Sequence, residues 1–164
     1  MSDLSVSAKS LYHLLLERHM TMTAAESCTG GLIAKIMTDM AGSSEVFWGG
    51  FITYSNDSKE KLIGVPAETL EHFGAVSDET VRAMAEGALK RSTADCSLAV
   101  SGIAGPGGGT AEKPVGTVWI GVALKKGTVL SRIYHFEGDR AAIRGETAKQ
   151  AISMLIDLIS HIDY

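Results

Sequence analysis

The sequence predicts a three-layer α/β/α domain, with helices on both faces of a mixed, mostly parallel sheet. Three observations predict it. Segments with helical apolar spacing alternate along the chain with short β-branched or continuously apolar runs, the pattern of helices crossing over a parallel sheet. Late in the chain two strand-like runs flank Lys125-Lys126-Gly127, a hairpin that brings antiparallel pairing into the sheet. The 164 residues are 45% hydrophobic and contain no repeat, linker or low-complexity stretch, which predicts one domain spanning 1–164.

Each element has its own signal. Residues 4–18 read as an amphipathic helix, with Leu4, Ala8, Leu11, Tyr12, Leu15 and Leu16 on one side. Residues 19–23 alternate enough for a short strand, and the polar cluster up to Gly31 is a strand-to-helix turn. The helix that follows places Leu32, Ile33, Ile36, Met37 and Met40 on one face. It is expected to end near Gly42, a residue suited to the position after a helix. Residues 46–54 are rich in aromatic and β-branched side chains and read as a strand. The polar run from Ser55 to Lys59 opens a short helix, and Pro66 begins another that Gly74 stops. Ser77 or Asp78 caps the next helix, which carries Val81, Met84, Ala85, Ala88 and Leu89. Residues 96–103 are a buried strand, and 104–114 a long Gly-rich loop. Residues 115–124 and 128–136 are the hairpin strands. A last helix starts near Asp139 and carries Ile143, Ala151, Ile152, Leu155, Ile156 and Ile159 to the chain end.

Composition removes several function classes. The net charge of −4 comes from well-mixed charges, and no Lys/Arg stripe offers a nucleic-acid face. A small anionic ligand stays possible, since one or two cations and some backbone N–H groups suffice. Cys28 and Cys96 have no metal spacing, and the five histidines form neither H-E-x-x-H nor H-x-H, so no metal and no cofactor are expected. The N-terminus lacks a signal peptide's basic and apolar regions, and no apolar run reaches the ~18 residues of a membrane span. A soluble, cytoplasmic protein is the expectation.

The chemistry concentrates in Glu26-Ser27-Cys28-Thr29-Gly30-Gly31. A turn from strand to helix presents free N–H groups where the helix dipole favours developing negative charge. Ser27 and Cys28 are both possible nucleophiles there, and Ser27 or Thr29 could instead cap the helix. No Walker motif is present. The loop beginning Gly102-Ile103-Ala104-Gly105-Pro106-Gly107 has the wrong spacing for a dinucleotide fingerprint, and Pro106 has no N–H. Its later glycines can still form an anion nest. Tyr54 and Lys59 reach one rim of the sheet. They are one residue too far apart for the Y-x-x-x-K of short-chain dehydrogenases, whose N-terminal Gly-rich loop is also missing. A partly desolvated Lys59 could serve as a base for a serine, or be an ordinary solvated charge.

Six blocks, taken in order, resemble one known family. They are T-A-A-E-S-C-T-G-G at 23–31, G-G-F-I-T-Y-S-N-x-x-K at 49–59, G-A-V-S at 74–77, S-G-I-A-G-P at 101–106, K-P-V-G-T-V-W at 113–119 and F-x-G-D-R at 136–140. Together they resemble the CinA C-terminal domain family, and within it the stand-alone branch of nicotinamide-nucleotide amidohydrolases. No larger CinA N-terminal domain precedes the blocks here, which fits the stand-alone form. The resemblance implies hydrolysis of nicotinamide mononucleotide (NMN) to nicotinate mononucleotide and ammonia. It implies Ser27 as nucleophile, Lys59 as general base and Tyr54 as an assisting hydroxyl. Backbone N–H groups near Cys28 to Gly30 would hold the oxyanion, and Gly30 and Gly31 would let the substrate approach the backbone. Glu26, Cys28, Thr29 and Asn56 complete the near side of the expected substrate site. The Gly-rich loop, through Gly102, Gly105 and Gly107, and Arg140 or Arg144 would hold the 5′-phosphate. A nucleotide-binding module that keeps the pocket without the reaction is the alternative. The terminal helices are expected to expose enough apolar surface for self-association, with a dimer favoured.

Overall fold

A computed structural model describes residues 2–162. The described elements, in chain order, are α1 (Asp3–Glu17), β1 (Met22–Glu26), α2 (Leu32–Thr38), β2 (Phe47–Ile52), α3 (Asn56–Ile63), α4 (Ala67–Phe73), α5 (Asp78–Lys90), β3 (Cys96–Gly102), β4 (Thr117–Leu124), β5 (Val129–His135) and α6 (Arg140–Ser160). The strands form one sheet in the order β2-β1-β3-β4-β5. β1 pairs parallel with β2 and β3, whereas β4 pairs antiparallel with β3 and β5. Four strands therefore point one way and β4 alone opposes them, as a mixed and mostly parallel sheet requires.

Strand alternation sends the core to both faces. Met22 and Ala24 of β1, Leu98 and Val100 of β3, and Val118, Ile120 and Val122 of β4 face α1, α2 and α6. Ala25, Ala99 and Ala123 point the other way, into a smaller core with Val81, Met84, Ala85 and Ala88 of α5. The small residues on that side let α5 lie close. A Cβ on Gly121 would stand 3.0 Å from the Val81 carbonyl oxygen. Each fully buried Leu or Ile of the larger core contributes roughly 1.5–3 kcal/mol by leaving water.

Helix starts follow side-chain capping. Ser2, Ser55, Ser77 and Asp139 each accept a backbone N–H from the first turn of α1, α3, α5 and α6. Four expectations need correction. The first strand is not 19–23 but Met22–Glu26. It is buried along its whole length between two neighbours, so it does not alternate, while His19 takes a left-handed φ of 53° after α1. The helix expected to reach Gly42 ends at Thr38, and Gly42 instead precedes a single 3-10 turn, Ser43–Glu45. The terminal helices do not expose their apolar faces. Ala8, Leu11 and Leu15 of α1 and Ile143, Ala151, Ile152, Leu155 and Ile159 of α6 are buried in the larger core. The exposed large apolar side chains include Trp48 and Ile52 of edge strand β2 and Leu62 of α3. The last helix, expected to run to the chain end, stops at Ser160, and residues 163 and 164 lie outside the described residues. Among the described residues no helix is long and apolar enough to cross a membrane.

Candidate active site

The carboxyl ends of the parallel strands β1, β2 and β3 meet at one edge of the sheet, the usual place for a site in such a fold. β1 ends at Glu26 and Ser27 follows it directly. The Ser27 N–H continues the ladder to Val100 of β3 (3.1 Å), and its carbonyl accepts the Gly30 N–H (3.0 Å), closing a tight turn. Gly30 and Gly31 complete that turn at φ values of 59° and 106°, which side-chain-bearing residues adopt only with strain. Their glycine identity is thus explained by the backbone path. Neither lines the cavity described below.

Neither Ser27 nor Thr29 caps α2, whose N-cap is Gly31. Glu26 does that work from the strand. Its carboxylate, 1% exposed, accepts the N–H groups of Ile33 (2.8 Å) and Ala34 (3.0 Å) and the hydroxyl of Thr29 (2.6 Å). A negative charge at a helix N-terminus is stabilising. Glu26 and Thr29 therefore lie behind the turn and stiffen it, away from the cavity.

Lys59 comes from α3, which Ser55 starts by accepting the Ser58 N–H. Although α3 is a polar helix, Lys59 points inward and is 1% exposed. Its Nζ lies 3.0 Å from Ser27 Oγ, 2.9 Å from the Thr53 carbonyl and 3.3 Å from the Tyr54 carbonyl. Burial lowers its pKa from the usual lysine range to about 8. A neutral amine has two N–H bonds and one lone pair. The two carbonyls take the N–H bonds, so the lone pair is left facing the Ser27 hydroxyl. That is the arrangement of a general base beside a nucleophile.

Tyr54 contributes differently from the expectation. Its hydroxyl accepts from Arg140 Nη2 (3.1 Å) at an exposed rim, and no Ser27 or Lys59 contact involves it. Its carbonyl is what touches Lys59. Ser27 and Lys59 are already in direct contact, so no hydroxyl is needed between them. Arg140 also donates to the Gly105 carbonyl (2.8 Å), tying β2, the Gly-rich loop and the start of α6 together.

These groups surround a cavity of about 300 Å³, near the lower end of the usual small-ligand range. Ser27, Cys28, Tyr54, Asn56, Lys59, Gly102, Gly105, Gly107 and Arg140 line it, as the sequence led one to expect. The lining also includes Gly108, one of the glycines expected to form an anion nest, and Ala75, Val76, Ser101, Ile103 and Ala104, which residue type alone did not single out. They sit in or beside the G-A-V-S and S-G-I-A-G-P blocks, whose small side chains leave the space. The lining holds two cationic side chains and no carboxylate, so it suits an anionic ligand. Arg144 is not part of it. Its Nε and Nη2 donate to the carbonyls of Cys28 (3.2 Å) and Thr29 (2.7 Å). Three larger hollows, of about 320, 440 and 520 Å³, open elsewhere, and none sets a nucleophile beside a buried base.

Cys28 is 6% exposed and packs in the larger core. Burial pushes its thiol up to about 11, which keeps it protonated and weakly nucleophilic near neutral pH. Among the described residues no three His, Cys, Asp or Glu side chains group as metal ligands would.

Comparison with known proteins agrees with the geometry. The CinA C-terminal domain matches residues 5–159. A protein of Enterobacter agglomerans named nicotinamide-nucleotide amidohydrolase PncC is 58% identical over 127 residues, 77% of this chain and 77% of its own. Its namesake in Escherichia coli K12 is 49% identical over 154 residues, 94% of this chain and 93% of its own. The crystal structure of the competence/damage inducible protein CihA from Agrobacterium tumefaciens superposes with a TM-score of 0.93 at 46% identity, covering 96% of each chain.

Proposed function

The chain belongs to the CinA C-terminal domain family, and we propose from that premise that it is a nicotinamide-nucleotide amidase. It hydrolyses the carboxamide of NMN to nicotinate mononucleotide and ammonia. The observation that carries the mechanism is the buried 3.0 Å contact between Lys59 Nζ and Ser27 Oγ.

The neutral Lys59 amine takes the Ser27 proton as Oγ attacks the carboxamide carbon. The resulting oxyanion lies against the N–H group of Cys28, the residue after Ser27 that also lines the cavity; the Gly30 N–H is already given to Ser27. The Lys59 ammonium then protonates the departing nitrogen, the C–N bond breaks, ammonia leaves and a nicotinoyl ester remains on Ser27. Water adds to that ester with Lys59 again as base, and the ester C–O bond breaks to restore Ser27. Tyr54 assists from the rim, where its hydroxyl and Arg140 receive the nucleotide. Asn56 and the N–H groups of Gly107 and Gly108 complete the contacts to its ribose and phosphate. The same reading includes no bound cofactor, a cytoplasmic location and a homodimer, for which exposed Trp48 and Ile52 on an edge strand are the support.

The test is ammonia release from NMN by purified protein pretreated with a chelator, with Ser27→Ala in parallel. Release by the parent and none by the variant is the expected result. NMN binding by the parent without ammonia release would replace the amidase with a nucleotide-binding module.

A further inference from the structure

The cavity has one firmly held wall and one loosely held wall. The firm one is the turn after α4, where Ala75 and Val76 line the cavity. The Gly74 carbonyl beside them accepts the hydroxyls of Ser77 (2.9 Å) and Thr80 (2.6 Å), and Ser77 also caps α5. The loose one is the Gly-rich loop between β3 and β4, where Gly107 and Gly108 line the cavity. From Gly107 to Glu112 the chain is exposed. Among the described residues only the Thr110 N–H finds an acceptor there, the Lys113 carbonyl at 2.9 Å. A Cβ on Gly107 would meet nothing within 4 Å, so packing does not hold that stretch either. A segment with so few bonds of its own opens at little cost unless its flanks are tied down.

Two cations tie them. Arg140 holds the start of the loop through the Gly105 carbonyl (2.8 Å). Lys113 holds its far end. The Lys113 N–H donates to Thr110 Oγ1 (2.9 Å), closing a turn, and Nζ crosses to the Phe73 carbonyl (3.4 Å). Phe73 is the last residue of α4, and a lysine there satisfies one of the carbonyls that a helix end leaves open. Lys113 thus joins the loose wall to the firm one, and the proposed mechanism gives it no other task.

We propose that Lys113 is a positioning residue that straps the Gly-rich loop to the turn after α4, and that the strap favours NMN over its dephosphorylated riboside. This rests on the amidase reading above, with the Gly107 and Gly108 N–H groups receiving the phosphate. A loop ordered before the substrate arrives costs less to bind against. The 5′-phosphate lies at the far end of the substrate from the reacting carboxamide. Losing the strap therefore weakens ground state and transition state alike, which raises KM and spares kcat.

The test compares the parent, Lys113→Met and Lys113→Arg in two measurements. The first is steady-state ammonia release from NMN and from nicotinamide riboside, which has the same carboxamide and no phosphate. Where the riboside binds without turnover, its inhibition constant against NMN replaces KM. The second is the rate at which a broad-specificity protease cuts the substrate-free protein between Gly107 and Lys113. Lys113→Met is expected to raise KM for NMN about fivefold, the scale of one hydrogen bond, with kcat within about twofold and the riboside unaffected. Loop cleavage should quicken by about the same factor. Lys113→Arg, which keeps a donor, should return both readings toward the parent. A raised KM for NMN with unchanged cleavage would mean that Lys113 meets the phosphate itself, and would overturn the strap. An equal loss on both substrates would overturn the selection for phosphate, and parental values throughout would overturn both. A parent that releases no ammonia from NMN overturns the amidase reading and the selection with it, while loop cleavage still decides the strap. Should Lys113→Met not fold, the same readings are taken from Lys113→Gln.

Discussion

In the proposed mechanism Lys59 decides the chemistry, because its burial makes an amine available as a base. With a pKa of about 8, roughly one molecule in ten holds it neutral at pH 7. The sign follows directly: burial disfavours the ammonium, so the competent form grows as pH rises. kcat/KM is expected to increase about tenfold per unit below pH 8 and to level off above it, read from a pH profile of ammonia release. A profile flat from pH 6 to 9 would remove Lys59 from the base role. Lys59→Ala should lose about a thousandfold or more in kcat with a smaller change in NMN affinity, measured by turnover and by calorimetric binding. Cys28→Ala should keep activity within about tenfold, since its thiol stays protonated and packed. Residue type and spacing left Ser27 as nucleophile or helix cap and Lys59 as base or solvated charge; the resemblance of the motif blocks singled them out in the sequence. The direction of the Tyr54 hydroxyl was not legible, because only the return of α6 places Arg140 beside it.

At the scale of elements, α2 is a seven-residue helix whose N-cap glycine makes no side-chain hydrogen bond. Glu26 compensates from the preceding strand. Removing it leaves two backbone N–H groups and a buried hydroxyl without their acceptor. Glu26→Ala is therefore expected to destabilise the protein by about 2–4 kcal/mol, seen as a lower urea midpoint at unchanged m. An unchanged midpoint would mean that water replaces the carboxylate. Gly31→Ala should cost about 1–3 kcal/mol by the same measurement, since alanine at a φ of 106° is strained and its Cβ would meet Ile52 Cδ1 at 3.2 Å. The sequence pointed to a capping side chain at this helix but favoured Ser27 or Thr29. A carboxylate six residues before the helix cannot be recognised as its cap until the turn folds back.

At the scale of the molecule, the site forms where β1, β2 and β3 end together and where the loop after β3 and the start of α6 close over them. Self-association belongs to this scale. With α1 and α6 occupied in the core, edge strand β2 is the face to test. Sedimentation is expected to give the mass of two chains, and Trp48→Lys to shift it toward one, because a lysine blunts a strand edge. A single-chain mass for the parent at working concentration would rule out the dimer. The sequence by itself determined the α/β class, the order of elements, most helix starts and the motif blocks. These depend on local spacing, capping chemistry and residue type, which act between near neighbours. Only the tertiary structure decided that Lys59 is buried, that Cys28 belongs to the core, that Glu26 and Arg144 brace the turn from opposite sides, and that the terminal helices are spent on packing. Those facts arise from contacts between residues distant in sequence, where burial, dielectric and hydrogen-bond partners are set by the assembled layers.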